Sequence, residues 1–252
     1  MTPINLQVCI PYQKCPFKCP MCIASSAPHF NNLYKKDKQK YFDHLCDALL
    51  STNGKYGKIA TVVLTGDTEP TLDYGWMKEV INYIKLTNCR INVELQTHVY
   101  QDHRELCEGL DPQFLNRICY SITTVQDIIN FTKRFPTYMP SKSRVVILAT
   151  EEVLKYLDEH NVNFECDQIT FKLLQYTAYN QEDKDTYITE HRLTADDKRL
   201  QKLVLQYSTT SFNRSVVVDT NCQDAKGRYK IFREDGNVYS AWDKLKPEYL
   251  EE

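Results

Sequence analysis

Short runs rich in apolar and β-branched residues alternate six times with longer amphipathic stretches, and this alternation limits the possible folds more than any other feature. The six predicted strands are Ile4–Tyr12, Ile59–Gly66, Ile91–His98, Phe114–Thr123, Arg144–Thr150 and Asp167–Leu174. The six predicted helices are Asp37–Leu50, Tyr74–Thr87, His103–Leu110, Val125–Arg134, Glu151–His160 and Ala195–Tyr207. Strict β-then-α alternation predicts an α/β fold with a parallel sheet and right-handed crossovers. It leaves open whether the sheet is doubly wound or closes into a complete or partial barrel.

The C-terminal part of the chain has a different pattern. Ser215–Asp219 reads as a strand, and Tyr229–Phe232 and Val238–Trp242 flank the dipeptide Asp235-Gly236. Asp-Gly between two apolar runs is a strong signal for a β-hairpin. We therefore predict two parts, an α/β body over residues 1–210 and a small β-rich cap over residues 211–252.

Composition excludes several protein classes. The 252 residues are 42% hydrophobic and 25% charged, which is typical of globular proteins and excludes a wholly disordered chain. A net charge of −2 argues against bulk electrostatic binding of nucleic acid. No run of 18 apolar residues is present, so no membrane span is predicted.

Ten cysteines are present, and no signal peptide is readable at the N-terminus. We therefore expect a cytoplasmic protein whose cysteines are reduced. In a reducing compartment, clustered cysteines more often hold a metal than form disulfides.

Three of the cysteines, Cys15, Cys19 and Cys22, form a C-x3-C-x2-C run directly after the first predicted strand. The prolines between them oppose regular structure, so this segment is predicted to be a loop. A loop of this kind can direct three thiols toward one centre. A [4Fe–4S] cluster held by three cysteines keeps its fourth iron available for another ligand.

Other interpretations of the same segment exist. A zinc site with three thiolates needs a fourth ligand, and Cys9 or His29 is a candidate. In that case the protein is a zinc-binding interaction module rather than an enzyme. Chance clustering of cysteines is the remaining alternative.

The three-cysteine motif, together with its place after the first strand, resembles the radical S-adenosylmethionine (SAM) superfamily. The resemblance implies a partial (β/α)6 TIM-like barrel with a C-terminal β-hairpin extension. It also implies that Cys15, Cys19 and Cys22 hold a [4Fe–4S] cluster whose fourth iron is chelated by the amino and carboxylate groups of SAM. Met21 stands where the family usually has an aromatic residue against the adenine.

A second motif follows the second predicted strand, Gly66-Asp67-Thr68-Glu69-Pro70. An ordinary strand-to-helix turn explains these residue types equally well. The segment resembles the Gly-Gly-Glu-Pro motif of the same family, which binds the amino group of SAM. The resemblance implies that Gly66, Asp67, Thr68 and Glu69 contact the cofactor.

Three further residues are weaker candidates. By resemblance, Ser121 contacts the ribose or the carboxylate of SAM. Lys172 is either a partner for the SAM carboxylate or an anionic substrate, or an ordinary solvated or structural lysine. Cys222 lies in a polar loop, where it is either a hydrogen-atom donor to a substrate radical or a passive thiol.

The predicted function is that of a radical SAM enzyme. One electron from the cluster cleaves SAM, and the 5′-deoxyadenosyl radical abstracts hydrogen from a small-molecule or nucleotide substrate. The alternative substrate is a peptide or protein, as for an activase. An electron donor such as flavodoxin or ferredoxin is an implied partner.

Overall fold

A computed structural model describes residues 4–11, 15–17, 19, 22, 29–50, 58–66, 68–98, 115–134, 143–174, 182–209, 214–219, 229–240 and 247. The strands within these ranges are β1 Ile4–Cys9, β2 Ile59–Thr65, β3 Asn92–Thr97, β4 Arg117–Ile122, β5 Ser143–Ala149, β6 Gln168–Leu173, β7 Ser215–Asp219, β8 Tyr229–Phe232 and β9 Val238–Tyr239. All six strands predicted for the α/β body are therefore confirmed, with ends that differ by at most three residues.

The helices in the same ranges are α1 Leu33–Lys36, α2 Lys38–Leu50, α3 Tyr74–Thr87, α4 Val125–Arg134, α5 Glu151–His160, α6 Glu182–His191 and α7 Lys198–Thr209. The predicted helix His103–Leu110 lies outside the described residues. Helix α6 was not predicted, because its sequence has one aliphatic residue, Ile188, and no amphipathic period. The side chain of Asp73 accepts a hydrogen bond from the Trp76 amide at 2.9 Å and caps α3.

The described strands form one sheet in the order β7-β6-β5-β4-β3-β2-β1-β8-β9. Every pair of neighbours in this order is parallel except the last, because β9 runs antiparallel to β8. Because consecutive strands from β1 to β7 are also neighbours in space, the predicted partial TIM-like barrel is confirmed.

The C-terminal strands belong to this sheet. The predicted hairpin is present as β8 and β9, but β8 pairs with β1 and β7 pairs with β6, at opposite ends of the parallel array. Both ends of the predicted six-strand barrel are thus extended by strands of the C-terminal segment, which satisfies backbone groups that an edge would expose. The division of the chain at residue 210 stays a prediction.

One face of the sheet packs against helices and forms the main core. Strand residues of this core such as Val93, Leu95, Ile118 and Ile147 are apolar, and their exposed fraction is at most 1%. Side chains alternate between the two faces of a strand, so the residues between them line the opposite face, which we call the inner face.

Helix α6 is placed differently from the helices of the main core. Its residue Ile188 packs with Leu148 and Leu174 in a separate small cluster. Leu148 alternates with the core residues of β5 and therefore lies on the inner face. Helix α6 thus covers the inner face near the carboxyl ends of β5 and β6.

The β8–β9 hairpin is anchored on the first helices. Gly236 has φ +77°, and a Cβ atom at this position would lie 2.6 Å from Cδ2 of Leu33 and 3.0 Å from Nδ1 of His44. The Leu33 amide donates a hydrogen bond to the carbonyl of Glu234 at 2.8 Å. Only glycine satisfies both the conformation and the close contact.

None of the helices in the described ranges has the length and apolar character needed to cross a membrane.

Candidate active site at the carboxyl ends of the strands

The two predicted motifs and two further polar residues follow the carboxyl ends of neighbouring parallel strands. The cysteine loop begins after β1, Gly66 follows β2, His98 follows β3 and Thr123 follows β4. In parallel α/β barrels the carboxyl ends of the strands face the same side, and functional groups gather there. The four segments are therefore brought to one edge of the sheet.

Gly66 joins the ends of β1 and β2. Its φ is +151°, and a Cβ atom would lie 2.9 Å from the Ile10 amide nitrogen and 3.3 Å from Cα of Cys9. The Ile10 amide donates a hydrogen bond to the carbonyl of Thr65 at 2.9 Å. Because any side chain at residue 66 would separate these backbones, this glycine determines where the cysteine loop leaves the sheet.

Glu69 joins the second motif to the end of β3. This carboxylate is 4% exposed. Its Oε1 accepts hydrogen bonds from the Thr71 amide at 3.1 Å, the Thr71 hydroxyl at 2.8 Å and the Thr97 hydroxyl at 2.5 Å. Its Oε2 accepts one from the His98 amide at 2.9 Å. Oε1 thus accepts three hydrogen bonds and Oε2 one, which makes Oε2 the less crowded of the two oxygens.

Thr68 lies beside Glu69 in the same motif. It is 7% exposed, and its hydroxyl oxygen is buried and has no hydrogen-bond partner among the residues that the structure describes. A buried hydroxyl without a partner is energetically costly in a protein interior. Asp67, the other predicted residue of the motif, lies outside the described residues.

The central cysteine of the loop, Cys19, contacts the ends of β3 and β4. Its Sγ lies 3.6 Å from Nε2 of His98 and 3.8 Å from Oγ1 of Thr123. The Cys22 amide donates a hydrogen bond to the carbonyl of Cys19 at 3.0 Å, which closes a turn between the second and third cysteines. The cysteine loop thereby contacts the carboxyl ends of β3 and β4 through residues that are far from it in the sequence.

Burial raises the pKa of the Cys19 thiol to about 11. The Thr123 hydroxyl, 3.8 Å from the sulfur, acts in the opposite direction, while the nearby Cys22, Asp127 and Cys15 raise this pKa further. The three predicted ligands are therefore close enough to interact electrostatically. Without a cation the Cys19 side chain is a neutral thiol at pH 7, and binding of a metal centre releases its proton.

The donor set suits an iron–sulfur cluster. Among the described residues, no group of three His, Cys, Asp or Glu side chains is arranged to hold a single metal ion. In a [4Fe–4S] cluster each cysteine ligates a separate iron, so the three sulfurs do not have to meet at one atom. Three partly buried cysteines in a single loop fit this requirement.

The inner face below this edge carries a network of charged residues. Arg144 forms an ion pair with Glu94, and its Nε lies 3.4 Å from Sγ of Cys119. Arg117 lies 3.5 Å from the other oxygen of Glu94. Although burial acts in the opposite direction, the neighbouring negative groups raise the pKa of Arg144. Positive charge is thus held inside the barrel by partners that keep it ionised.

Ser121 and Lys172, predicted from the sequence, both lie on the inner face. Ser121 is half-buried in β4, two residues before Thr123. Lys172 is paired in register with Leu148 of β5 and Asp219 of β7. Met21 and Cys222 lie outside the described residues, so their predicted roles are untested.

Three residues at this end of the sheet, namely His98, Thr123 and Asp127, are not among the residues that the sequence assigned to the cofactor. Strand alternation places His98 on the same face as Gln96 and Glu94, which was the available signal. The contact with Cys19, however, spans 79 residues of sequence. Such a contact depends on the strand order and is not visible in local periodicity.

Arg233 is a further buried cation that the sequence did not single out. It follows β8, is 0% exposed, and its guanidinium carbon lies 4.7 Å from the ring centre of Phe30 and 5.4 Å from that of Tyr239. Cys9 and Ile231 pack with the same two aromatic residues. This cluster stabilises the junction between β1 and the C-terminal hairpin.

A scan against protein-family models finds no match to this sequence, and no curated protein matches it. Solved structures do match. SuiB of Streptococcus suis bound to S-adenosylmethionine aligns with a TM-score of 0.60 and 15% identity, over 95% of this chain and 60% of SuiB. SuiB bound to its precursor peptide SuiA aligns with a TM-score of 0.61 and 15% identity, over 98% of this chain and 62% of SuiB.

The chain has the fold of SuiB. The fold expected from the two motifs is therefore confirmed over most of the chain. At 15% identity the likeness to SuiB concerns the fold alone. The chain spans about three fifths of the length of SuiB.

Proposed function

We propose that this protein is a radical SAM enzyme. The observation that carries the proposal is the position of the three-cysteine loop, which starts at the carboxyl end of β1 and contacts the carboxyl ends of β3 and β4 through Cys19. The second motif lies at the same edge, joined to β3 through Glu69. The likeness of the fold to that of SuiB, which binds S-adenosylmethionine, supports the same conclusion.

In this proposal Cys15, Cys19 and Cys22 hold a [4Fe–4S] cluster, and the second motif binds the methionyl group of SAM. When bound, the cluster supplies one electron that cleaves the sulfonium of SAM to methionine and a 5′-deoxyadenosyl radical, which takes a hydrogen atom from the substrate. Oε2 of Glu69, which accepts a single hydrogen bond among the described residues, is the proposed contact for the ammonium group of SAM. The hydroxyl of Ser121 is the proposed contact for the ribose or carboxylate.

The substrate proposed first is a polar small molecule or a nucleotide. The inner face supports this choice, because Arg144, Glu94 and Lys172 are charged groups of both signs on the face that leads to the proposed cofactor site. Positive groups held in a partly buried site interact strongly with carboxylates and phosphates. Helix α6 covers part of the same face and limits the access of water, as radical chemistry requires.

A peptide substrate is the second candidate. One observation favours it, since the fold matches SuiB in its complex with the precursor peptide SuiA. That similarity covers about three fifths of SuiB, so it concerns only part of the peptide enzyme.

The proposed cofactor chemistry is tested by anaerobic purification and cluster reconstitution. We expect a brown protein with about four irons per chain, an electron paramagnetic resonance (EPR) signal after reduction, and 5′-deoxyadenosine from SAM and dithionite. The Cys19→Ala variant should lose all three properties, whereas the matched Cys89→Ala variant, at an exposed cysteine, should keep them. A colourless zinc protein, or an intact reduced cluster that cleaves no SAM, would contradict the proposal.

The substrate class is tested with deuterated candidates. The reduced enzyme is incubated with SAM and either deuterated nucleotides or deuterated peptides, and 5′-deoxyadenosine is analysed by mass spectrometry. The first candidate would be supported if deuterium is transferred from a nucleotide into 5′-deoxyadenosine. An Arg144→Leu variant with normal iron content should no longer show this transfer. Transfer only from peptides would favour the second.

A further inference from the structure

His98 connects three parts of the site that are distant in the sequence. Its Nε2 lies 3.6 Å from Sγ of Cys19 and 3.3 Å from Oγ1 of Thr123. Its backbone amide donates a hydrogen bond to Oε2 of Glu69 at 2.9 Å. One residue therefore contacts the cysteine loop, the second motif and the end of β4.

The orientation of the His98 ring is held from both sides. The ring of Phe17, between the first and second cysteines, stacks on it with centres 4.8 Å apart and planes inclined by 30°. The backbone bond to Glu69 holds the other end of the residue. A ring held in this way points its Nε2 toward the sulfur without a large loss of side-chain entropy.

The hydrogen bonds around Thr123 assign the proton on His98. Oδ2 of Asp127 accepts hydrogen bonds from the Thr123 amide at 2.8 Å, the Thr123 hydroxyl at 2.9 Å and the Thr124 amide at 2.9 Å. The Thr123 hydroxyl has a single hydrogen, which goes to Oδ2 of Asp127 at 2.9 Å rather than to Sγ of Cys19 at 3.8 Å. The oxygen is thereby left as an acceptor toward His98. Nε2 of His98 then carries the hydrogen, and both of its neighbours, Oγ1 and Sγ, are acceptors.

Asp127 is itself held by the start of helix α4. Its amide donates a hydrogen bond to the hydroxyl of Thr124 at 3.2 Å, while its carboxylate accepts one from the Thr124 amide at 2.9 Å. This reciprocal pair is a capping box. The chain of contacts from Asp127 through Thr123 to His98 therefore rests on a regular helix end rather than on the cysteine loop itself.

We propose that His98 is a positioning residue that donates an N–H hydrogen bond to the sulfur of Cys19 and thereby raises the reduction potential of the cluster bound there. This inference rests on the proposed function. Reduction adds negative charge to a cluster, and a hydrogen bond to a ligand sulfur stabilises that charge. Removing the bond should therefore make the cluster harder to reduce.

The test is a dithionite titration of the reconstituted wild-type protein, monitored by EPR, beside four variants. His98→Leu removes the donor, His98→Gln keeps an N–H at similar reach, and Thr123→Val removes the hydroxyl that aligns the ring. His160→Leu is the matched control, because His160 contacts Tyr156 on helix α5 and is not part of the site. Iron and sulfide contents are measured for every variant.

The expected result is a midpoint potential that is more negative in His98→Leu than in the wild type, with a smaller shift in Thr123→Val. His98→Gln should return most of the way to the wild-type value, and His160→Leu should equal it. If His98→Leu binds less iron, His98→Gln must restore both the iron content and the potential, otherwise the hydrogen bond has no role. Equal potentials in the wild type and His98→Leu, at equal iron content, would overturn the inference. A wild-type protein that assembles no cluster would instead overturn the proposed function.

Discussion

The two faces of the sheet are built from the same strands but have opposite chemistry. On β3, Leu95 is fully buried against the helices, while Glu94 and Gln96 on either side of it lie on the inner face. Strands covered on both faces by apolar layers usually read as continuous apolar runs. Here every second residue of several strands is polar, because the inner face carries the charged network in place of a second apolar layer.

Alternate residues of each strand therefore have different environments, one set in the apolar core and the other on the charged inner face. The helix-facing residues form one large apolar cluster, whereas the inner face combines a charged network with two small apolar groups at its sides. A substitution in the helix-facing core should therefore cost stability through lost packing, whereas a substitution on the inner face should cost stability only where it breaks the charged network. Four predictions test that separation.

The largest effect is expected for Leu95→Ala. Loss of a fully buried leucine should lower the free energy of unfolding by about 2–5 kcal/mol. The adjacent Gln96→Ala change on the inner face should cost less than about 1 kcal/mol. Urea unfolding monitored by circular dichroism measures both variants. Equal losses would show that the inner face is as tightly packed as the core.

The second prediction concerns the charged network of the inner face. Glu94→Gln removes the carboxylate opposite Arg144 and leaves a partly buried guanidinium without its ion pair. We expect a loss of about 2–3 kcal/mol in the free energy of unfolding, below the cost of breaking a fully buried pair. The control Arg117→Gln removes the outer, more exposed partner of the same carboxylate and should change stability by less than about 1 kcal/mol. If the control costs as much as Glu94→Gln, the network is not centred on Glu94 and Arg144.

The third prediction uses a titrating group packed against the helix-facing core. Burial raises the pKa of Cys166 to about 11, above its value of about 9 in an unfolded chain. The stability that this burial contributes is fully present below pH 9 and is lost as the pH rises toward 11. Between pH 8 and 10.5 the wild type should lose about 2 kcal/mol relative to Cys166→Ser, which does not titrate in this range. Parallel pH profiles of the two proteins would contradict the assignment.

The smallest effect is expected for Ser121→Ala on the inner face. Loss of one hydroxyl should weaken SAM binding by a few-fold, equivalent to about 1 kcal/mol, without a measurable change in unfolding. Equilibrium binding of SAM to the reconstituted protein measures the change. The control Ser208→Ala removes a hydroxyl that bonds to Val204 on helix α7, and it should leave SAM affinity unchanged. An unchanged affinity in Ser121→Ala would remove this residue from the proposed site.

Much of the fold follows from local patterns, and helix α6 shows the limit of such patterns. Strands β1 to β6 and helices α3, α4 and α5 are visible in the sequence because each has a clear period of apolar residues. Helix α6 is not, because Ile188 and Tyr187 are the residues of its described part that pack in the apolar cluster with the sheet. Likewise, the C-terminal hairpin is visible from Asp235-Gly236, but its pairing with β1 is a long-range contact that no local signal specifies.

Local sequence patterns were enough to predict strands β1 to β6, the three-cysteine loop and the role of the glycine after β2, since each depends on neighbouring residues and their periodicity. Only the tertiary structure decided that Cys19, His98 and Thr123 meet, and that Glu69 bonds to the end of β3. The physical reason is that these contacts join carboxyl ends of different strands. Their proximity depends on strand order and register, which arise from packing of the whole sheet.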